Sequence, residues 1–97
     1  DGDIDQVLSL GDLGLKWQAF GWEVLRMDGH NFDSIRSTMQ AAKALTGKGK
    51  PIVIIMKTEM GQGVDYMMGS HKWHGVAPND EQLENALNQL PSTIGDY

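Results

Sequence analysis

The 97-residue sequence contains no cysteine, only three prolines and few basic residues. Without cysteine, a disulfide scaffold, a cysteine-ligated zinc site, an iron–sulfur cluster and a cysteine nucleophile are all excluded. This composition fits a reducing cytoplasm, where we expect the protein to be located. Eight Lys and Arg residues stand against 13 Asp and Glu, for a net charge of −5. Nucleic acid is therefore not expected as a partner, because binding to it depends on neutralising phosphates.

Long hydrophobic runs are also missing. The longest aliphatic run, Ile52 to Met56, is far shorter than the roughly 20 residues that span a bilayer, so no membrane partner is expected. A chain of this length buries only about 60–65% of the surface that it exposes when unfolded, which allows one thin core at most. The sequence begins with Asp1 rather than Met, and we expect it to be processed, truncated or cut from something longer.

Apolar residues at helical spacing predict a first helix from about Leu10 to Phe20. Ser9 and Asp12 have the spacing of a capping box at its start, and Gly21 stands where a left-handed C-terminal cap would fall. The β-branched and aromatic residues of the following segment, Trp22 to Met27, predict a short strand.

A second helix is predicted from the cap residue Asn31 to about Thr46, with an apolar stripe along one face. The continuous apolar run Ile52 to Met56 then predicts a strand buried on both faces of a parallel sheet. Thr58 to Ala77 has four glycines and no periodicity, which indicates a long loop. A last helix, capped by Asn79 and Gln82, is expected to stop before Pro91.

Strand, helix and buried strand in succession predict a right-handed βαβ unit and therefore the α/β class. Two parallel strands are marginal alone, so further strands are expected from elsewhere. Ligands of such sheets bind beyond the carboxyl ends of the strands, which makes the loop of residues 58–77 the first place to look for chemistry.

Two motifs outside this loop favour ordinary structural roles. Asp1, Asp3 and Asp5 resemble part of a calcium loop, but Gln6 replaces the required glycine, so a solvated acidic terminus is favoured. Gly47-Lys-Gly-Lys50 lacks the spacing of a phosphate-binding P-loop and leads into a strand, so it is interpreted as a helix-to-strand turn.

The long loop concentrates chemically capable residues. Gly61-Gln-Gly63 would let the backbone approach a ligand closely, and Gly69-Ser-His-Lys-Trp-His-Gly75 adds two imidazoles. His71 and His74 could bind metal, hydrogen-bond or transfer protons, or be purely structural. Zinc is disfavoured because a third ligand is missing and His30, the other imidazole, is interpreted as a turn residue. From their spacing alone, a functional role and a structural role for His71 and His74 are equally favoured.

Several segments taken together resemble the thiamine-diphosphate-dependent transketolases. They occur in order over nearly the whole chain: Phe20-Gly-Trp-Glu-Val24, Asp28-Gly-His30, Lys57-Thr-Glu-Met-Gly-Gln-Gly63, Gly69-Ser-His-Lys-Trp-His-Gly75 and Ala77-Pro-Asn-Asp80. The resemblance is greatest to the C-terminal part of the diphosphate-binding domain in transketolases divided into two polypeptides. It implies that residues 1–97 are an incomplete portion of a three-layer, parallel-sheet thiamine-diphosphate-binding module.

The resemblance also implies a function and site residues. The activity would be transfer of a two-carbon ketol unit from a ketose phosphate to an aldose phosphate, with thiamine diphosphate and Mg²⁺ as cofactors. His74 corresponds to the family histidine that bonds the cofactor diphosphate and reaches the substrate, and Met60 to the apolar residue near the thiazolium. Gly61 and Gly63 would supply backbone to the cofactor, and His71 is a weaker candidate for substrate binding.

The parts of the family pattern that this chain lacks imply partners. The Gly-Asp-Gly motif and the later Asn that bind Mg²⁺ are absent, so the metal ligands would lie outside this chain. We expect it to be inactive alone and to assemble with the rest of the diphosphate-binding domain and a C-terminal transketolase subunit, in an enzyme that is itself a homo-oligomer. Two alternatives stay open: a non-catalytic interaction module, and a fragment of another thiamine-diphosphate enzyme such as a deoxyxylulose phosphate synthase.

Overall fold

The computed structural model of the chain describes residues 3–4 and 8–92. Contacts divide the chain into two compact units, one of residues 8–58 and one that contains residues 59–92. The elements follow in the order α1 (Leu13–Ala19), β1 (Glu23–Asp28), α2 (Phe32–Leu45), β2 (Ile52–Lys57), a 3₁₀ helix (His71–Trp73) and α3 (Asp80–Gln89).

The unit of residues 8–58 is a strand–helix–strand arrangement. β1 and β2 pair in parallel with an unbroken register that runs from Glu23 opposite Ile52 to Asp28 opposite Lys57. Both α1 and α2 contact β1. The predicted α/β class and the βαβ unit are therefore confirmed, and each strand extends to one residue beyond its predicted end.

The start of α1 differs from the prediction. The N-cap is Asp12, whose carboxylate Oδ1 accepts a hydrogen bond from the Leu15 N–H at 3.0 Å. Ser9 instead accepts from the Gly11 N–H at 3.2 Å, a local turn that competes with helix formation. The prediction of a capping box formed by Ser9 and Asp12 is thus wrong, because Asp12 is itself the N-cap of the helix. The other end follows the prediction, since Gly21 has a φ of +86°.

α2 begins and ends close to where the sequence predicts. Asn31 is the N-cap, and its side chain accepts a hydrogen bond from the Ser34 N–H at 3.0 Å. Ala42 on the apolar stripe is buried, and Thr46 is the C-cap. The turn after the helix contains Gly47 at φ +76° and Gly49 at φ +75°, as expected for a breaker-rich helix-to-strand connection.

β2 is less buried than its apolar sequence predicts. Residues 52–55 are half-buried, and Met56 is 49% exposed. The reason is that β1 is its one strand neighbour among the described residues. A continuous apolar run of this kind is typical of strands flanked on both sides and covered on both faces. The apolar side chains of β2 could therefore bury more surface against additional structure.

The unit that contains residues 59–92 is built from a folded loop and α3. Val64 and Ala86 are its buried apolar residues. α3 begins with a complete capping box, in which the Asn79 side chain accepts from the Gln82 N–H at 2.8 Å and the Gln82 side chain accepts from the Asn79 N–H at 2.9 Å. The helix ends at Gln89, before Pro91, as predicted.

Replacing Asn79 with alanine is expected to destabilise this unit by about 1 kcal/mol, because two helix N-terminal N–H groups depend on the reciprocal pair. Thermal denaturation of the protein that contains this chain measures the effect. Asn79→Asp is the matched control, since aspartate caps helices as well as asparagine. Equal melting temperatures for the alanine and aspartate variants would contradict the role of the capping box.

Two further expectations concern the whole chain. None of the helices in residues 3–4 and 8–92 is long and apolar enough to cross a membrane. The acidic pattern considered for calcium includes Asp1 and Asp5, which lie outside the described residues.

Candidate functional site

The residues after β2 form a compact loop whose two ends meet. The Gly69 N–H donates to the Met60 carbonyl at 3.2 Å, and we call residues 60–69 the closed loop. Inside it, Met67 and Met68 both donate their N–H groups to the Val64 carbonyl, at 3.0 and 3.1 Å. The buried Val64 side chain anchors this turn. Closing the loop brings Met60 to the start of the segment that carries the histidines.

Two glycines of the closed loop have left-handed backbone, and one of them is also required by packing within the loop. Gly61 has a φ of +68°, and a Cβ there would lie 2.6 Å from the backbone of Met67. Gly63 has a φ of +90°, and its Cβ would lie 2.8 Å from the side chain of Leu90. Residues with a side chain rarely adopt such φ values. The Met67 backbone could not move away from a Cβ at Gly61, whereas the end of the Leu90 side chain could move away from one at Gly63. The Gly-x-Gly pattern therefore permits a tight chain crossing.

The histidines lie on a single turn of 3₁₀ helix. Ser70 caps this turn, since its Oγ accepts from the Lys72 N–H at 3.3 Å, and the His74 N–H donates to the His71 carbonyl at 3.1 Å. Because i and i+3 side chains are nearly eclipsed in a 3₁₀ helix, His71 and His74 are placed on the same side of the turn. Both residues are exposed.

The closed loop and the 3₁₀ turn together line a cavity of about 330 Å³, near the lower limit of small-molecule pockets. Four of the predicted site residues line it: Met60, Gly61, His71 and His74. Gly63 is not among the lining residues and packs against Leu90 at the end of α3 instead. The remaining lining residues are Met67, Ser70 and Trp73.

The chemistry of the cavity suits an anion or a hydroxylated ligand more than a metal ion. Its lining residues include two histidines and Ser70, whose side chains can all donate hydrogen bonds. No carboxylate lines the cavity in the described part of the chain. Met60, Met67 and Trp73 give it an apolar wall that would lower the local dielectric and strengthen those bonds.

Sequence reasoning missed three of the lining residues. Ser70 had a usable signal, because a serine just before a short turn is a frequent cap. Trp73 lies between the two histidines in the sequence, but nothing local assigns it a role. Met67 carries no sequence signal at all, since it reaches the cavity only through the crossing of the chain at Gly61.

The other candidate residues occupy structural positions. The His30 N–H donates to Asp28 Oδ1 at 3.0 Å, within the turn between β1 and α2. In the Gly47-Lys-Gly-Lys50 turn, Lys50 Nζ lies 4.0 Å from Glu23 Oε2. Surface ion pairs of this kind contribute little to stability. Within residues 3–4 and 8–92, no three His, Asp or Glu side chains are grouped so that they could hold a metal ion.

A parallel βαβ unit, followed in the chain by a loop with imidazoles and tightly packed glycines, places the chain among α/β modules. Residues 1–92 match the family described as transketolase, thiamine diphosphate binding domain. The chain belongs to the transketolase family, which confirms the resemblance identified in its sequence motifs.

Individual relatives agree with this membership. The chain is 39% identical over 93 residues to one of the subunits of the apulose-4-phosphate transketolase of Phocaeicola vulgatus, which covers 96% of the chain and 32% of that protein. It is 36% identical over 90 residues to the SqwG subunit of a 6-deoxy-6-sulfo-D-fructose transketolase from a Clostridium species. This match covers 93% of the chain and 32% of that protein. It is 34% identical over 80 residues to transketolase 1 of Escherichia coli, and the match covers 81% of the chain and 12% of that protein.

The chain therefore spans about a third of the length of relatives that are named as subunits, and about an eighth of the Escherichia coli enzyme. Similarity of the chain to one part of these proteins establishes the family. Their catalytic activity, substrates and partner subunits belong to the whole proteins.

Proposed function

We propose that residues 1–97 form the C-terminal portion of a transketolase diphosphate-binding domain, and that the assembled enzyme transfers a two-carbon ketol unit from a ketose phosphate to an aldose phosphate. The observation that carries this proposal is the cavity in which Met60, Gly61, His71 and His74 lie together. The family match supports thiamine diphosphate as the cofactor.

The residues of the cavity fit part of that cofactor. A diphosphate needs hydrogen-bond donors and no nearby carboxylate, and the described lining supplies two imidazoles and a hydroxyl without an acidic side chain. The apolar wall of Met60, Met67 and Trp73 would suit an aromatic ring. A cavity of about 330 Å³ would be one part of a larger binding site. This agrees with a chain that spans about a third of the length of its relative from Phocaeicola vulgatus.

Each residue of the cavity has a proposed task. Thiamine diphosphate, when bound, supplies the carbanion-stabilising chemistry, and the protein binds and orients it. His74 would donate a hydrogen bond to the diphosphate and hold or move a proton at a substrate hydroxyl. Met60 would exclude water beside the thiazolium, and the Gly61 backbone would allow close approach. His71, on the same side of the turn, would contact the sugar phosphate.

The proposal assigns Mg²⁺ and the rest of the site to other polypeptide. By the family resemblance, Mg²⁺ would be held by a Gly-Asp-Gly motif and an asparagine outside this chain. Among the described residues, no three His, Asp or Glu side chains are grouped so that they could hold it. Two of the relatives are named as transketolase subunits, which supports a partner subunit. The half-buried β2 supports further strands from the remaining part of the domain. We propose that the complete enzyme is a homo-oligomer.

Assembly is expected to be required for turnover. The isolated chain should show no ketol transfer, and co-expression with polypeptides that carry the missing metal motif and the C-terminal subunit should produce it. The measurement is a coupled assay with ketose phosphate donors and aldose phosphate acceptors. Full activity of the isolated chain would contradict the composite site.

Affinity capture distinguishes the proposed function from the two alternatives. Affinity capture of the tagged chain from its own cells should recover a polypeptide with the Gly-Asp-Gly motif and the downstream asparagine. Recovery of an unrelated partner alone, with no ketol transfer, would favour a non-catalytic interaction module. Formation of deoxyxylulose phosphate by the captured complex would instead favour a deoxyxylulose phosphate synthase.

A further inference from the structure

Helix α3 is tied to the closed loop by the side chain of Gln89. The Asp65 N–H donates to Gln89 Oε1 at 2.8 Å, and Gln89 Nε2 donates to Asp65 Oδ1 at 2.9 Å. Gln89 Nε2 also donates to Asn85 Oδ1 at 2.8 Å, one turn earlier on the same helix. A side chain with three hydrogen bonds has little rotational freedom. Gln89 therefore fixes the backbone of residue 65 against the last turn of α3.

Tyr66 provides a second tie, from the next residue of the loop. Its hydroxyl donates to the Gln82 carbonyl of α3 at 2.6 Å and is partly buried. Its ring meets the Trp73 ring edge to face, with centroids 5.2 Å apart, and its carbonyl accepts from Trp73 Nε1 at 3.2 Å. Tyr66 thus contacts α3 with one end and Trp73 with its ring and backbone.

Trp73 is the residue through which this support reaches the histidines. It ends the 3₁₀ turn, lines the cavity and is followed directly by His74. A single 3₁₀ turn has few internal hydrogen bonds and weak geometry, so its orientation depends on what its side chains contact. The ring and indole contacts of Trp73 with Tyr66 are such contacts. His74 therefore follows directly on a residue that is tied to α3 through Tyr66.

We propose that Tyr66, Trp73 and Gln89 are positioning residues that hold His74 in place from helix α3. This inference rests on the proposed function of His74. Because the hydrogen bonds join segments 7 to 24 residues apart in the chain, they fix the loop by tertiary contacts that local turn formation does not provide. Catalytic groups need such support, since small displacements cost large factors in rate.

A double-mutant cycle in the assembled enzyme tests the inference. Tyr66→Phe removes the hydroxyl that reaches α3 and keeps the ring against Trp73. With His74 present, we expect Tyr66→Phe to lower kcat/KM about tenfold and to weaken thiamine diphosphate binding to the apoenzyme by a similar factor. In the His74→Ala background the same change should cost about twofold or less, since there is no imidazole left to position. Gln89→Met, at a residue that does not line the cavity, should behave in the same way.

The control is Ala42→Gly at a buried position in the last turn of α2, which belongs to the unit of residues 8–58 and lowers helix stability there. It should lower the melting temperature but keep kcat/KM and cofactor affinity. Equal losses from Tyr66→Phe with and without His74 would overturn the inference while leaving the role of His74 intact. No effect of Tyr66→Phe in either background would overturn it as well. Normal activity of His74→Ala itself would instead refute the proposed function and remove the basis of the inference.

Discussion

Replacing His74 with alanine in the assembled enzyme is expected to lower kcat/KM for ketol transfer about 100-fold. The imidazole lines the cavity on the same side of the 3₁₀ turn as His71, with the Ser70 hydroxyl beside it. Its removal would take away one of the donors proposed to bind the diphosphate and the group proposed to move a proton at the substrate. Steady-state kinetics with saturating cofactor measures the loss.

Two companion variants separate the possible reasons for that loss. Lys72→Ala removes a charge from the same turn at an exposed residue that does not line the cavity, so its kinetics should change by about twofold or less. His74→Asn keeps an N–H donor but cannot take up a proton at neutral pH. Near-normal cofactor affinity of His74→Asn with low kcat would favour proton transfer. A His74→Ala enzyme as active as the wild type would refute both roles.

The regular elements were predictable because their signals are local. The Asn31 and Asn79 caps act on N–H groups three residues away, and the apolar stripe of α2 follows from helical periodicity alone. The pairing of β1 with β2 also follows from the sequence, since a helix between two apolar segments leaves a parallel pair as the favoured connection.

Errors arose where two local signals compete. At the start of α1, Ser9 and Asp12 are both good N-caps, and the structure uses the second. Gly11 lies between them at φ +62°, a conformation that breaks the helical path before residue 12. With this positive φ the helix starts three residues later than the apolar periodicity predicts, and Leu10 is left outside it.

The candidate site was predictable only in part. The concentration of imidazoles and glycines in one loop indicated Gly61, His71 and His74 as candidates, and the family resemblance added Met60. The structure places all four around one cavity. The remaining contacts depend on tertiary structure. The bond between Asp65 and Gln89 spans 24 residues, and no local pattern in either segment predicts it. A sequence can thus name the reactive groups of such a loop more readily than the residues that hold them.

Replacing Gly61 with alanine is expected to destabilise the protein by about 2–4 kcal/mol and to weaken cofactor binding. The left-handed backbone alone costs about 1–2 kcal/mol for a side chain, and the added Cβ would lie 2.6 Å from the Met67 backbone. The backbone of Met67 cannot move aside as a flexible side chain would. The closed loop would have to open, and Met60 and Met67 would leave the cavity wall. Thermal denaturation and titration of the assembled apoenzyme with thiamine diphosphate measure the two effects.

Gly47→Ala is the matched control, because Gly47 has a similar φ of +76° but no atom within 4 Å of the added Cβ. It should cost only the backbone term of about 1 kcal/mol and leave cofactor affinity unchanged. The difference between the two variants isolates the chain crossing at Gly61. Equal melting temperatures for both would mean that the crossing contributes nothing, and glycine at position 61 would then be explained by its φ alone. Loss of affinity without extra loss of stability would instead indicate that the cofactor depends on the conformation of the Gly61 backbone.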